Sequence, residues 1–109
     1  MRYNVILIDN FKKESKRLIK KFPSLRQELQ VLNDDLENNP ATGTPMAKSC
    51  YKIRLSITSK GKGKSGGARI ITHVYVEGKT VFLLSIYDKS EREDIGAQEI
   101  ERLLKGLQL

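Results

Sequence analysis

The sequence predicts an α+β domain in the order β-α-α-β-β-β-α, with a helical hairpin packed on a small, mainly antiparallel, twisted sheet and a final helix after the last strand. Three observations carry this expectation. Apolar residues recur at helical spacing in two successive stretches, Phe11 to Phe22 and Leu25 to Leu36. From Tyr51 the apolar period falls to two, as on a half-buried strand. Two further apolar runs then flank the triplet Glu77-Gly78-Lys79, which reads as a tight hairpin turn.

Residues 3–9 read as a short strand, with Tyr3, Val5 and Leu7 on one face and Ile6 and Ile8 on the other. Two apolar faces imply a strand covered on both sides or lying beside helices. Phe11, Leu18, Ile19 and Phe22 fall at i, i+7, i+8 and i+11 of the first helix, whose other faces hold Lys12, Lys13, Lys16, Arg17, Lys20 and Lys21. Pro23 ends that helix, and Ser24 with Gln27 gives a capping-box signal for the second. Leu25, Leu29, Leu32 and Leu36 line its apolar face, and Asn38-Asn39-Pro40 should end it. The segment up to Pro45 reads as a turn-rich connection.

Tyr51, Ile53, Leu55 and Ile57 then share one face of a strand, which leaves Lys52, Arg54 and Ser56 on the other. A loop rich in glycine and lysine spans Thr58 to Gly67, followed by strands from Arg69 to Val76 and from Thr80 to Tyr87. Ser90 and Glu93 form a second capping-box signal, so a helix should begin just after Lys89. Gly96 should interrupt or restart it, and Ile100, Leu103, Leu104 and Leu107 supply its apolar stripe.

The length of 109 residues fits one domain, with enough chain to bury a core. A net charge of +7 and a pI near 9.6 favour nucleic acid, an acidic protein or an anionic membrane surface as partner. The membrane is disfavoured, because no apolar run approaches the roughly 18 residues of a spanning helix. The apolar core of the N-terminal stretch is also too short for a signal peptide. A single cysteine, Cys50, precludes an internal disulfide framework and fits the reducing cytoplasm. The lone His73 and Cys50 have no spaced partners, so neither a metal site nor a cofactor is expected.

Lys48 to Arg69 carries seven cations and no acid. Gly63-Lys64-Ser65 within it resembles the end of a phosphate-binding loop, but position 58 is Thr58 and the loop joins two strands instead of opening a helix. The strand cations are more informative. Lys52, Arg54 and Arg69 fall on one surface of an antiparallel sheet, and Tyr87 and Lys89 close the last strand at the same edge. Such a set suits a phosphodiester, since Arg and Lys hold phosphate and stabilise growing charge without a metal. RNA brings its own nucleophile, the 2′-OH. Residues alone leave phosphate binding without catalysis open. His73 shares a face with Arg69 and is a candidate base, although a lone strand histidine is ordinarily packed or exposed.

From Tyr51 to Asp94 the chain resembles the RelE/ParE toxin superfamily, in particular its HigB-like and RelE-like members. The resemblance rests on the basic strand with Lys52 and Arg54, on Gly63-Lys64-Ser65-Gly66-Gly67-Ala68-Arg69-Ile70, and on the run from Leu83 to Asp94. It implies a toxin of a type II toxin–antitoxin pair, a ribosome-dependent endoribonuclease that cleaves mRNA in the A site. That enzyme would leave a 2′,3′-cyclic phosphate without using a metal. On this resemblance Arg69, Arg54, Lys52, Lys89 and Tyr87 are the expected catalytic set, and Lys60, Lys62, Lys64 and His73 the expected contacts to RNA or ribosome. Near Ile95, where RelE-like enzymes carry a tyrosine, this chain has none, and Tyr87 is the expected substitute. The implied partners are a cognate antitoxin, the ribosome and mRNA, with operon DNA reached only through the antitoxin. The alternatives are a ParE-like toxin that inhibits gyrase and a catalytically inactive relative that binds RNA or antitoxin.

Overall fold

A computed structural model describes residues 2–61, 63 and 66–107. Its elements are β1 (Asn4–Leu7), α1 (Asp9–Lys21), α2 (Leu25–Asn38), β2 (Thr44–Pro45), β3 (Cys50–Leu55), β4 (Ala68–Tyr75), β5 (Thr80–Asp88) and α3 (Ala97–Lys105). The sheet runs in the order β1-β5-β4-β3-β2. β1 pairs parallel with β5, from Asn4 opposite Thr80 to Leu7 opposite Leu83, and every other pair is antiparallel. The α+β class and the order of the long elements are those read from the sequence.

Strand alternation divides the core into two clusters. Phe11 and Leu18 of α1 and Leu25, Leu32 and Leu36 of α2 pack on Ile53, Ile70, Val74, Val81, Leu83 and Ile86. On the opposite face Ile100 and Leu103 of α3, with Ile95, cover Cys50, Ile71, Leu84 and Tyr87. Successive residues Ile70 and Ile71 thus serve different layers. Ile71 pairs with Ser85 and Thr72 with Leu83, which leaves Leu84 as the extra residue of a β-bulge.

Several local expectations are corrected. Residues 44 and 45 are not simply a connection, because Thr44 and Pro45 form a short edge strand opposite Lys52 and Tyr51. An edge tolerates proline, which has no N–H to donate. Gly43 permits the approach: it has φ +105, and a Cβ there would lie 2.5 Å from the Lys52 carbonyl oxygen. β1 is an edge strand covered unequally, with Ile6 45% exposed.

Neither capping box forms. Ser24 has helical backbone angles, and its hydroxyl lies 2.8 Å from Ser59 Oγ and accepts the Ser59 N–H at 2.9 Å. Glu28 accepts the Thr58 N–H at 2.8 Å. The α2 start therefore holds the turn after β3 instead of capping its own helix. At Ser90 the backbone N–H donates to Asp88 Oδ1 at 2.9 Å, and Lys89 donates to Glu93 at 3.1 Å. With both residues engaged elsewhere, residues 89–96 stay irregular and α3 starts only after Gly96.

Candidate functional site

Strand register brings the expected cations together. Arg54 of β3 lies opposite Arg69 of β4, and Arg69 lies opposite Tyr87 of β5, so the three form a row across the sheet. Lys52 stands two residues before Arg54 on the same face. Gly67 lets β4 enter close beside β3: a Cβ there would lie 2.1 Å from the Leu55 carbonyl oxygen. The Gly67 carbonyl also accepts the Lys89 N–H at 3.0 Å, which fixes Lys89 beside the start of β4.

Lys52, Arg54, Arg69, Tyr87 and Lys89 line one open cleft of about 350 Å³, together with Thr44, Met46, Glu93 and Asp94. Its floor contains a buried cation, since Arg69 is 6% exposed while Arg54 is exposed. Like charges directly across two strands oppose folding. A site that binds an anion would gain from the same arrangement.

Glu93 and Asp94 complete the rim. Asp94 Oδ1 accepts from Lys52 Nζ at 2.6 Å, from the Ile95 N–H at 2.8 Å and from the Tyr87 hydroxyl at 3.2 Å. The Lys52 hydrogen bond, aided by the Ile95 N–H, holds the Asp94 carboxyl below its ordinary range. Tyr87 is pushed up to about 12, first by burial and then by the negative Asp94. Its hydroxyl thus keeps its proton at neutral pH and is a donor. The Arg92 guanidinium lies 5.5 Å from the Tyr87 ring centroid and pairs with Glu99, holding the ring from the α3 side.

Of the residues expected to contact RNA, Lys60 and His73 do not line this cleft. The Lys60 side chain is 10% exposed, pairs with the buried Asp88, and lies 5.6 Å from the Phe22 ring centroid. Burial pushes Asp88 up, but Lys60 and the Ser90 N–H outweigh it and hold the carboxyl low. Lys62 and Lys64 lie outside the described residues. His73 is four residues along β4 from Arg69, about 13 Å away at strand rise. Its Nδ1 sits 3.0 Å from the Lys48 carbonyl oxygen and its ring stacks on Phe82. Cys50, opposite His73 in the register, has Sγ 3.9 Å from that Nδ1. The thiol is fully buried, and burial pushes its pKa up, so it is a poor nucleophile.

Sequence reasoning misses Asp94 and Glu93 as lining residues of the cleft, because it spends Glu93 on a helix cap. The available signal was the acidic end of the run from Lys89 to Asp94, set beside the cationic strand. Among the described residues no group of three or more His, Cys, Asp or Glu is placed to hold a metal ion. No described helix is long and apolar enough to cross a membrane.

A helical hairpin on one face of this mixed sheet, with a last helix beside an open cleft on the other, is a RelE-like fold. The free state of an arginine-to-alanine double mutant of the Escherichia coli toxin RelE matches with a TM-score of 0.64 and 19% identity, covering 99% of this chain and 100% of that one. The same mutant in complex with a peptide of the antitoxin RelB matches at 0.61 and 20%, with the same coverage. The isolated E. coli RelE toxin gives 0.60 and 21%, covering 96% and 99%. At such identities the likeness is one of fold. No protein-family model matches the sequence.

Proposed function

We propose that this protein is the toxin of a type II toxin–antitoxin module and a metal-independent, ribosome-dependent endoribonuclease acting on mRNA in the A site. The observation that carries the reading is the row Arg54, Arg69, Tyr87 flanked by Lys52 and Lys89 in one cleft. The RelE-like fold supports it. The phosphodiester lies over the row, with Lys52, Arg54 and Lys89 on its oxygens. The 2′-oxygen attacks phosphorus as the bond to the 5′-oxygen breaks. Charge growing on the phosphoryl oxygens falls to Arg69, whose burial strengthens the interaction. Tyr87, protonated, supplies a proton to the departing 5′-oxygen. Arg54 is exposed, so water reaches the cleft, takes up the proton that the 2′-OH releases and returns one to the Tyr87 oxygen.

The partner on this reading is an antitoxin whose acidic or amphipathic segment neutralises the cationic chain, and operon DNA is contacted only through it. The complex of RelE with an antitoxin peptide supports such a partner. The test is induction of the protein with mapping of mRNA 5′ ends, with and without translation. Wild type should give codon-phased cuts that vanish when translation is blocked. Arg69→Ala should lose about a hundredfold or more of the cleavage rate. Growth arrest with intact mRNA and blocked gyrase supercoiling would overturn the nuclease in favour of a ParE-like toxin.

A further inference from the structure

Asp94 sits where an anion from outside the chain would bind. Three donors share its Oδ1: the Lys52 ammonium of β3, the Tyr87 hydroxyl of β5 and the Ile95 N–H. We propose that Asp94 is the resident anion of the cleft, and that an incoming phosphodiester displaces it from Lys52. This inference rests on reading the cleft as an RNA site.

The geometry separates this role from two others. A carboxylate acting as base for the 2′-OH needs proton affinity, and Lys52 with the Ile95 N–H lowers that of Asp94. A pair that must hold the fold is better shielded, as the Asp88 side chain is at 1% exposure beside Lys60. The Asp94 side chain is instead 59% exposed, and an exposed pair is weakly held. The segment that carries it is held before Asp94 by Arg92 on Glu99 and after it by Ile95, buried against Ile100 and Leu103 of α3. The loop can stay in place while the Asp94 side chain swings out. Glu93 on Lys89 repeats the device at the next cation, with its carboxylate 94% exposed.

The test measures binding of a short 2′-O-methyl RNA oligonucleotide, which lacks the attacking hydroxyl, to the full chain across a salt series. Asp94→Asn keeps an oxygen for the Ile95 N–H and should bind roughly fivefold tighter than wild type. Freed Lys52 should steepen the slope of log affinity against log salt by roughly 0.7. Asp94→Ala should show the same gain. In a Lys52→Met background the gain should disappear, and Glu77→Gln, which removes an acid from the β4–β5 turn, should show none. A gain that persists without Lys52, or that Glu77→Gln matches, overturns the displacement and reduces it to net charge. Equal binding by wild type and both Asp94 variants overturns the inference while the RNA reading stands. If no variant binds the RNA at low salt, either free or held as the message on a programmed ribosome, the reading of the cleft falls and the inference with it.

Discussion

The face of the sheet under α1 and α2 and the face under α3 are built from the same strands and differ in almost every other respect. Under the hairpin, Ile53, Ile70 and Ile86 meet Phe11, Leu18, Leu25 and Leu36 in a continuous apolar layer. One residue along each strand, on the other side, stand Arg54, Arg69 and Tyr87. There α3 covers only part of the surface, and the cleft takes the rest. The hairpin face lets the other face hold opposed cations, because its burial outweighs the local cost of Arg54 opposite Arg69.

That asymmetry can be broken at graded strength. Phe11→Ala, in the fully buried layer, should cost about 4 kcal/mol in urea unfolding. Next is Lys60→Met, expected to cost about 3 kcal/mol by leaving Asp88 buried and unpaired. The folded Asp88 carboxyl titrates below its ordinary 3.8. Its contribution is therefore complete above that value and is lost as pH falls through the depressed one, so the deficit should shrink in acid. Leu103→Ala beneath α3 should cost only about 2 kcal/mol, since that cluster is smaller and its helix shorter. If Leu103→Ala matched Phe11→Ala, the two faces would be energetic equals and the comparison would fail.

The smallest effect is spectroscopic. With Tyr87 at about 12, one of the four tyrosines should ionise last in an alkaline absorbance titration. Tyr87→Phe should remove that phase. The folded state holds this proton more tightly than the unfolded chain, so the associated stabilisation is full below pH 10 and fades as pH rises towards 12. A titration with no late tyrosine would contradict both the burial of Tyr87 and its bond to Asp94.

What the sequence reveals depends on how local the cause is. Helical periodicity at Phe11 and Leu18, or Leu32 and Leu36, is set within each element. So is the strand alternation that separates Lys52 and Arg54 from Ile53. Register across β3, β4 and β5 then juxtaposes Arg54, Arg69 and Tyr87. Where two side chains competed for one role, local rules failed. Ser24 went to Ser59, Glu93 to Lys89, and Ser90 to Asp88, so neither cap formed. Lys60 reads as a loop contact to RNA or ribosome because nothing near it in sequence announces Asp88, 28 residues on. The pairing of β1 with β5 and that of Cys50 with His73 are long-range choices that no periodicity encodes.

The parallel pairing of β1 with β5 bears on how the protein can come into being. Asn4 finds its partner only when Thr80 exists, and the layer on which both helices rest includes Val81, Leu83 and Ile86. A chain synthesised from its N-terminus makes β1, α1 and α2 first, with no floor beneath them. Closing so long a loop carries an entropic cost that only the finished sheet offsets. The row from Arg54 to Tyr87 completes with the same strand, so a partly made chain has neither a stable core nor a working cleft. Any activity in the cleft is thereby deferred until the strand from Thr80 to Asp88 has been laid down.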